Sequence, residues 1–377
     1  MTGSLDLPPF DVADRVEQLC ADLPADVDRS VVTEEWIRAF AQRASELGLT
    51  GLMTDGGAIL ERRIGVAMDA TERLVTHSAS LAMLVGATRI QTVMLLQSRA
   101  TPARNLCLDA LIAGEKLGSI AVSEAQAGSD VRGMAAIFQP GPQGGGVLEG
   151  EKEWVAVAPF ADFSLVLAKV GAGSRDAETA VILIERTMPG VTFRQGPGLL
   201  AYEALPMGEI SCREVEVDAD HVLHPTGGLR AFLEVVGYAR LEAASHGIGL
   251  LRACLDELIA HVRQRIAFGA PLAGLQGVQE QVGQLRIDVE AASALRDRAA
   301  DAFARGEPDW QLCSAAKVFA TDAAARHTTE ALSLFGASGL VRGSRIETIF
   351  RDCKAAQVFD GTSAVLRTGL GRTTLKG

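Results

Sequence analysis

The sequence has no paired cysteines. Its six, Cys20, Cys107, Cys212, Cys254, Cys313 and Cys353, are scattered with no CxxC among them. That excludes a zinc-ribbon or disulfide framework and fits reduced thiols in a cytoplasm. No run of about 18 uninterrupted apolar residues occurs, so no transmembrane helix and no membrane partner is expected. The opening MTGSLDLPPFDVADR lacks the basic-then-apolar order of a secretory signal. Positive charge is in deficit, with 36 Lys and Arg against 47 Asp and Glu and a net charge of −11. A general nucleic-acid binder needs concentrated cations to neutralise phosphates, so that class is excluded, although a local basic patch for a phosphate is not. The six histidines show neither HxxxH nor HExxH spacing, and no metal site is expected. No GxSxG elbow supports serine hydrolase chemistry. No GxGxxG follows a predicted strand, which argues against a parallel dinucleotide-binding sheet.

What is present is a chain of 377 residues, 48% apolar and 22% charged, long enough for two or three packed lobes. Up to about residue 118 the pattern is helical. Trp36, Ile37, Phe40, Ala41, Ala44 and Leu47 recur at helical steps, with Thr33 as N-cap and Gly48 as terminator. From Gly118 the texture becomes short runs of alternating or β-branched residues, among them Phe163–Lys169 and Cys212–Val217, punctuated by Gly, Pro and Asp. Long Ala- and Leu-rich stretches return after Gly227, over Leu229–Phe268, Leu275–Arg305 and Trp310–Leu334. The expected fold class is α+β, mainly α: a helical domain over 1–118, a middle antiparallel β domain over 119–225, and a C-terminal four-helix bundle over 226–377.

Four segments carry chemistry when taken together. They are Val122-Ser-Glu-Ala-Gln-Ala-Gly-Ser-Asp130, Lys152-Glu-Trp-Val155, Arg265-Ile-Ala-Phe-Gly269 with Gln276, and Arg351-Asp-Cys-Lys354 with Phe359-Asp-Gly-Thr-Ser363. In the first, a strand runs into a Gly-containing loop whose free backbone N–H groups can bind carbonyls or a phosphate. A guanidinium at Arg265 matches phosphate geometry. A carboxylate at Asp360, if desolvated, becomes a stronger base. Alone, each has a plainer reading: a strand-ending turn, a solvated helix-end cation, an Asp-Gly turn.

In order and at these distances, the four segments resemble the LTEPxAGSD, KxWI, RxxFGxxLxxxQ, and RDxK with YEGTS patterns of the acyl-CoA dehydrogenase family. The resemblance is clear from about Gly114 to Arg372 and agrees with the helix–strand–helix layout. It implies FAD as cofactor and dehydrogenation of an acyl thioester. Asp360 is then the base that removes the α-proton while hydride leaves the β-carbon for flavin N5, with Arg240 shaping the pocket or holding the base. The thioester carbonyl would be polarised by a flavin ribityl hydroxyl and a backbone N–H. Val122, Ser123, Gly128 and Ser129 would meet the flavin edge or a phosphate, and Trp154 would cover the ring. Arg265, Phe268 and Gln276 would reach the FAD of a neighbouring subunit, which implies a homodimer or homotetramer. Gly336 and Gly339 would let backbone approach FAD, with Ser333 and Thr362 also at the cofactor. Ala156 stands where the family commonly places a Thr that bonds N5.

The departures point in one direction. Asp360 is one methylene shorter than the family's Glu, and a displacement of about 1 Å can cost about a hundredfold in rate. Ala239 occupies the alternative base position before Arg240 and cannot serve. Ala156, Ser333 and Ala125 replace the expected Thr, Gln and Pro, and the N-terminal lobe is short. This texture is similar to the acyl-carrier-protein dehydrogenases of polyketide pathways, which implies a small hydroxylated acyl group such as glyceryl; the thioester partner is an acyl carrier protein or CoA. The electron acceptor would be an electron-transfer flavoprotein or oxygen. A flavoprotein oxidase of the nitroalkane oxidase kind, a flavin N-oxygenase relative and a degenerate binding protein of the same fold remain as alternatives.

Overall fold

The computed structural model describes residues 11–376 except 22, 25, 26, 28–31, 56, 172 and 173. Five helices come first: α1 (Val12–Cys20), α2 (Glu34–Glu46), α3 (Ile64–His77), α4 (Ala79–Gln97) and α5 (Pro102–Ile112). Thr33 caps α2 as its spacing predicts, its hydroxyl accepting from Trp36 N at 3.2 Å. The apolar stretch 60–94 is two helices, because Ser78 is extended and its hydroxyl caps α4 by accepting from Leu81 N. By length and hydropathy α4 could cross a membrane, but most of it is buried in the fold.

Eight strands form one sheet: β1 (Gly118–Ala121), β2 (Ile137–Pro140), β3 (Gly146–Ala156), β4 (Phe163–Val170), β5 (Thr179–Glu185), β6 (Val191–Gln195), β7 (Met207–Val217) and β8 (Val222–His224). The order is β6-β7-β3-β2-β4-β5-β8, with β1 also on β4. The sheet is mixed, a correction to the antiparallel expectation. Two short strands share one edge of β4 in parallel register, β1 over Phe163–Val166 and β2 over Lys169 and Val170. Residues 122–136 separate those strands and bring the chain back in the same direction, which composition alone does not reveal. β4 and β5 are buried almost throughout, as strands covered on both faces must be.

The C-terminal part holds α6 (Gly228–Gln264), a hairpin of β9 (Ile266–Ala267) and β10 (Ala270–Pro271), α7 (Gln276–Ala304), α8 (Trp310–Phe335), α9 (Arg345–Ala356) and α10 (Ser363–Thr374). α6 ends at Gln264, so Arg265–Gly269 is hairpin and not the helix tail its apolar pattern predicts. α6 and α8 pack tightly enough that a Cβ on Gly237 would lie 1.9 Å from the Trp310 ring. One hydrophobic core runs from α1 through the sheet's helix-facing side to α9. Charge also stitches it: on α7, Arg296 binds Glu72 and Asp69 of α3 at 2.9 and 2.8 Å.

Candidate active site

The loop after β1 is held by a buried ion pair. Glu124 and Lys152, 5% and 1% exposed, meet at 2.7 Å. Glu124 also accepts from Ala135 N and Ala136 N, and Lys152 donates to Val122 O. Burial pushes Glu124 up, but the Lys152 charge and the hydrogen bonds outweigh it and hold the carboxyl below its usual range. Glu153 N donates to Ser123 O at 2.9 Å. Two of the sequence segments are therefore welded together, with Val122 and Ser123 beside the start of Lys152-Glu-Trp. Gly128 and Ser129 lie exposed on the same loop.

The pairing of β3 with β7 shifts register between Lys152 and Val155. Trp154 sits in that irregularity at φ 59°, where a bulky residue is strained, and its side chain is 53% exposed. A shallow cleft beside the indole is bounded by Gly196, Pro197, Met207 and Gly208. Ala156 ends β3, half-buried.

Asp360 lies in the turn between α9 and α10 with φ 54°, followed by Gly361 at φ 100°. A left-handed pair of this kind persists only where its surroundings hold it. Three side chains on two helices do so. Arg240 of α6 directs Nε at Asp360 O (3.4 Å) and Nη1 at Ser314 Oγ (3.1 Å). Lys317 of α8 donates to Gly361 O at 2.9 Å. Asp322 of α8 accepts from Gln357 Nε2 (2.7 Å) and Ser363 Oγ (2.9 Å), and pairs with Arg367. Thr362 caps α10, its hydroxyl accepting from Val365 N. By surface area Asp360 is only half-buried, yet protein surrounds its carboxyl closely. Desolvation therefore raises it to about 6, against the pull of Lys317 and Arg240 and with a push from Glu242.

The two centres meet through the β6–β7 loop. Val157 N donates to Pro206 O at the end of β3, Tyr202 N donates to Asp352 of α9 at 2.8 Å, and the Tyr202 ring packs edge-on to Phe359 at 5.6 Å. Asp360 thus stands at the seam between the sheet and the final helices. Behind Phe359 lies a polar cluster that sequence reading missed. Tyr202 Oη is 3.0 Å from His246 Nδ1, and Arg89 pairs with Glu242 at 2.9 Å beside Thr71. Burial, then the Arg89 charge, push His246 down to about 3 and keep it neutral.

Other expected residues stand apart. Arg265 is exposed, and Phe268 is 94% exposed at φ 53° on the hairpin tip. Gln276 opens α7 and binds Glu280 of its own helix. Ser333 is exposed near the end of α8, Gly336 follows at φ 60° with open space where a Cβ would be, and Gly339 is buried against Phe335. His261 links these two groups, stacking on Phe335 at 4.0 Å while its carbonyl accepts from Arg265 N. Among the described residues no hydrogen bond joins them to the Asp360 turn. Sequence reading also passed over Lys317, although a lysine inside Ala315-Ala-Lys-Val-Phe-Ala320 is a visible signal, and over the pairing of Glu124 with Lys152, although both lay inside quoted segments.

Comparison with known proteins agrees with this layout. The middle-domain model of acyl-CoA dehydrogenase matches residues 119–215 and its C-terminal-domain model matches 226–375. The cyclohexane-1-carbonyl-CoA dehydrogenase of Geobacter metallireducens is 27% identical over 361 residues, 94% of this chain and 91% of that protein. A glutaryl-CoA dehydrogenase from Mycobacterium smegmatis in complex with FADH2 superposes with a TM-score of 0.89 at 20% identity, covering 97% of this chain and 94% of that one. FkbI, described as acting in biosynthesis of the methoxymalonyl extender unit of the Fk520 polyketide, gives 0.82 at 24% identity over 96% and 98%. At such identities the two structures show a shared fold. With both family models covering its sheet and final helices, the chain belongs to the acyl-CoA dehydrogenase family of oxidoreductases.

Proposed function

We propose that the protein is an FAD-dependent dehydrogenase of acyl thioesters with Asp360 as its base, and that its substrate is a small hydroxylated acyl group such as glyceryl on an acyl carrier protein. One observation carries the reading: a carboxyl raised to about 6 on a left-handed turn, flanked by two cations, at the seam of sheet and helices. No plain Asp-Gly turn requires a buried lysine and an arginine on its carbonyls.

The residues present fit a flavin. The uncovered indole of Trp154, held out by a backbone irregularity beside a cleft, offers a flat apolar face. Ser123 and the exposed Gly128 and Ser129 supply a loop for polar edges, and the space at Gly336 admits close backbone approach. FAD, when bound, supplies the two-electron acceptor. Asp360 takes the α-proton, and Arg240 holds the turn that aims it. Ala156 offers no side-chain donor, so any such contact there falls to backbone. Phe268, Ile266 and Leu275, 94%, 57% and 42% exposed, with Arg265 among them, suit burial against a second copy of the chain, so the working form is a dimer or tetramer.

The likeness to FkbI, and a polar wall of Tyr202, His246, Arg89 and Glu242 behind the base where a fatty chain would prefer apolar lining, favour a short polar acyl group. Electrons then pass to an electron-transfer flavoprotein or to oxygen. The test is anaerobic mixing of the yellow holoprotein with carrier-linked glyceryl and with acyl-CoA esters while the visible flavin band is followed. Bleaching by the carrier thioester alone is expected. Bleaching by long acyl-CoA esters instead would overturn the substrate, and bleaching retained in Asp360→Asn would overturn the base.

A further inference from the structure

Lys317 has no role in the family resemblance, yet its setting is unusual. It is fully buried, 0% exposed, in an otherwise apolar stretch of α8. Among the described residues it forms no ion pair, and its one hydrogen bond goes to Gly361 O at 2.9 Å. Burying an ammonium without a carboxylate partner is costly, and an apolar side chain of similar length would fill the space without that cost. A purely structural role is therefore poorly served by lysine. Its amine is bonded one peptide beyond Asp360, on a backbone pair at φ 54° and 100°. The other charged groups facing this carboxyl are Arg240 and Glu242 of α6, and Asp322 of α8 faces Lys317 in turn.

We propose that Lys317 is a positioning residue for the reaction: it clamps the Asp360–Gly361 turn and, with Arg240, supplies the positive charge that keeps Asp360 ionised, so that a carboxylate one methylene short of Glu serves as the base. The inference rests on the reading of Asp360 as base. Burial lowers Lys317 to about 8, against the pull of Asp360 and Asp322, while Asp360 is raised to about 6. Between these values the base is negative and its clamp positive. Turnover should therefore rise through about pH 6 and fall through about pH 8.

The test reads the Asp360 carboxyl directly, by infrared difference spectra of the substrate-free holoprotein with the Asp360→Asn spectrum subtracted. The same readout is taken on Lys317→Met and Lys317→Arg, with Lys317→Gln replacing Lys317→Met if that variant melts below the assay temperature. Loss of the cation should raise the Asp360 midpoint by about one unit or more, move the acid limb of thioester-driven bleaching with it, and abolish the alkaline limb. Lys317→Arg, which does not titrate here, should keep the parent midpoint and lose only the alkaline limb. A midpoint unmoved in the neutral variant, or displaced as far in Lys317→Arg, overturns the proposal. Failure of the base assignment looks different, because the midpoint still follows Lys317 while bleaching ignores Asp360→Asn.

Discussion

Replacing Asp360 with Asn should stabilise the protein while it abolishes activity. Asn is close in shape to the protonated acid and tolerates the left-handed backbone at φ 54° equally well, so the substitution adds no strain. The parent must ionise a desolvated carboxyl in the folded state. Its value rises from the ordinary 3.8 to about 6, a difference worth about 3 kcal/mol, which partial solvent access trims to about 2–3 kcal/mol. The sign follows from linkage. Below 3.8 the folded and unfolded chains both hold the proton; between 3.8 and about 6 only the unfolded chain has released it, so stability falls as pH rises, and above about 6 the deficit is complete. Melting curves of parent and Asp360→Asn should therefore coincide at acid pH, separate through that window and run parallel by several degrees at neutral pH. Curves that track each other at every pH would show a water-exposed carboxyl and remove the basis for calling Asp360 a tuned base.

Three further outcomes test other parts of the site. Glu124→Gln leaves the Lys152 ammonium buried without its counter-charge and should cost about 3–5 kcal/mol in denaturant unfolding. Because the Glu124 carboxyl is held below its usual range, the parent's advantage over this variant should be present above the ordinary carboxylate value and fade as pH falls through the lower folded-state value. Trp154→Ala removes the flat apolar surface, so the flavin-to-protein absorbance ratio after gel filtration should fall several-fold while folding is retained; undiminished flavin would place the ring elsewhere. Phe268→Ser, at the 94% exposed hairpin tip, should shift the sedimentation profile toward monomer, and an unchanged profile would take the hairpin out of the subunit contact.

Much of this architecture is legible in the residues. Helical spacing places α2, α7 and α8 to within a residue or two, since their stripes are bounded by real punctuation such as Thr33 and Asp309, whose side chains cap α2 and α8. Register is less legible. β1 and β2 are four residues each, and nothing local tells that both run parallel to β4. The partition of the stretch 60–94 turns on a single serine, and the end of α6 on a hairpin whose Phe268-Gly269 turn needs positive φ at both positions. Within the site, residue identity announces Asp360, Arg240 and Trp154. The contacts that tune the base come from α6 and α8, separated from Asp360 by roughly 40 to 120 residues, and no spacing rule reaches that far.

That division explains why the segments read as motifs at all. Glu124 and Lys152 sit at the heads of two of them and touch no candidate substrate position; their 2.7 Å bond, 28 residues apart in sequence, sets the loop carrying Ser123 against the strand carrying Trp154. Asp322, outside every segment, does the same for the last one by binding Gln357, Ser363 and Arg367 on both sides of the Asp360 turn. The recognisable residues are thus of two kinds, some expected at the reacting atoms and some fixing one loop on another. A carboxylate that accepts from several donors spread across two elements holds them in a single register, because any slip leaves charge unpaired, at greatest cost for Glu124 in its dry interior. Asp322→Asn should accordingly lower the rate and leave the acid limb set by Asp360 in place, since it loosens the aim of the carboxyl and not its charge, while the alkaline limb moves to lower pH because Asp322 helps hold Lys317 up; a shifted acid limb in that variant would show that Asp322 belongs to the electrostatics of the base after all.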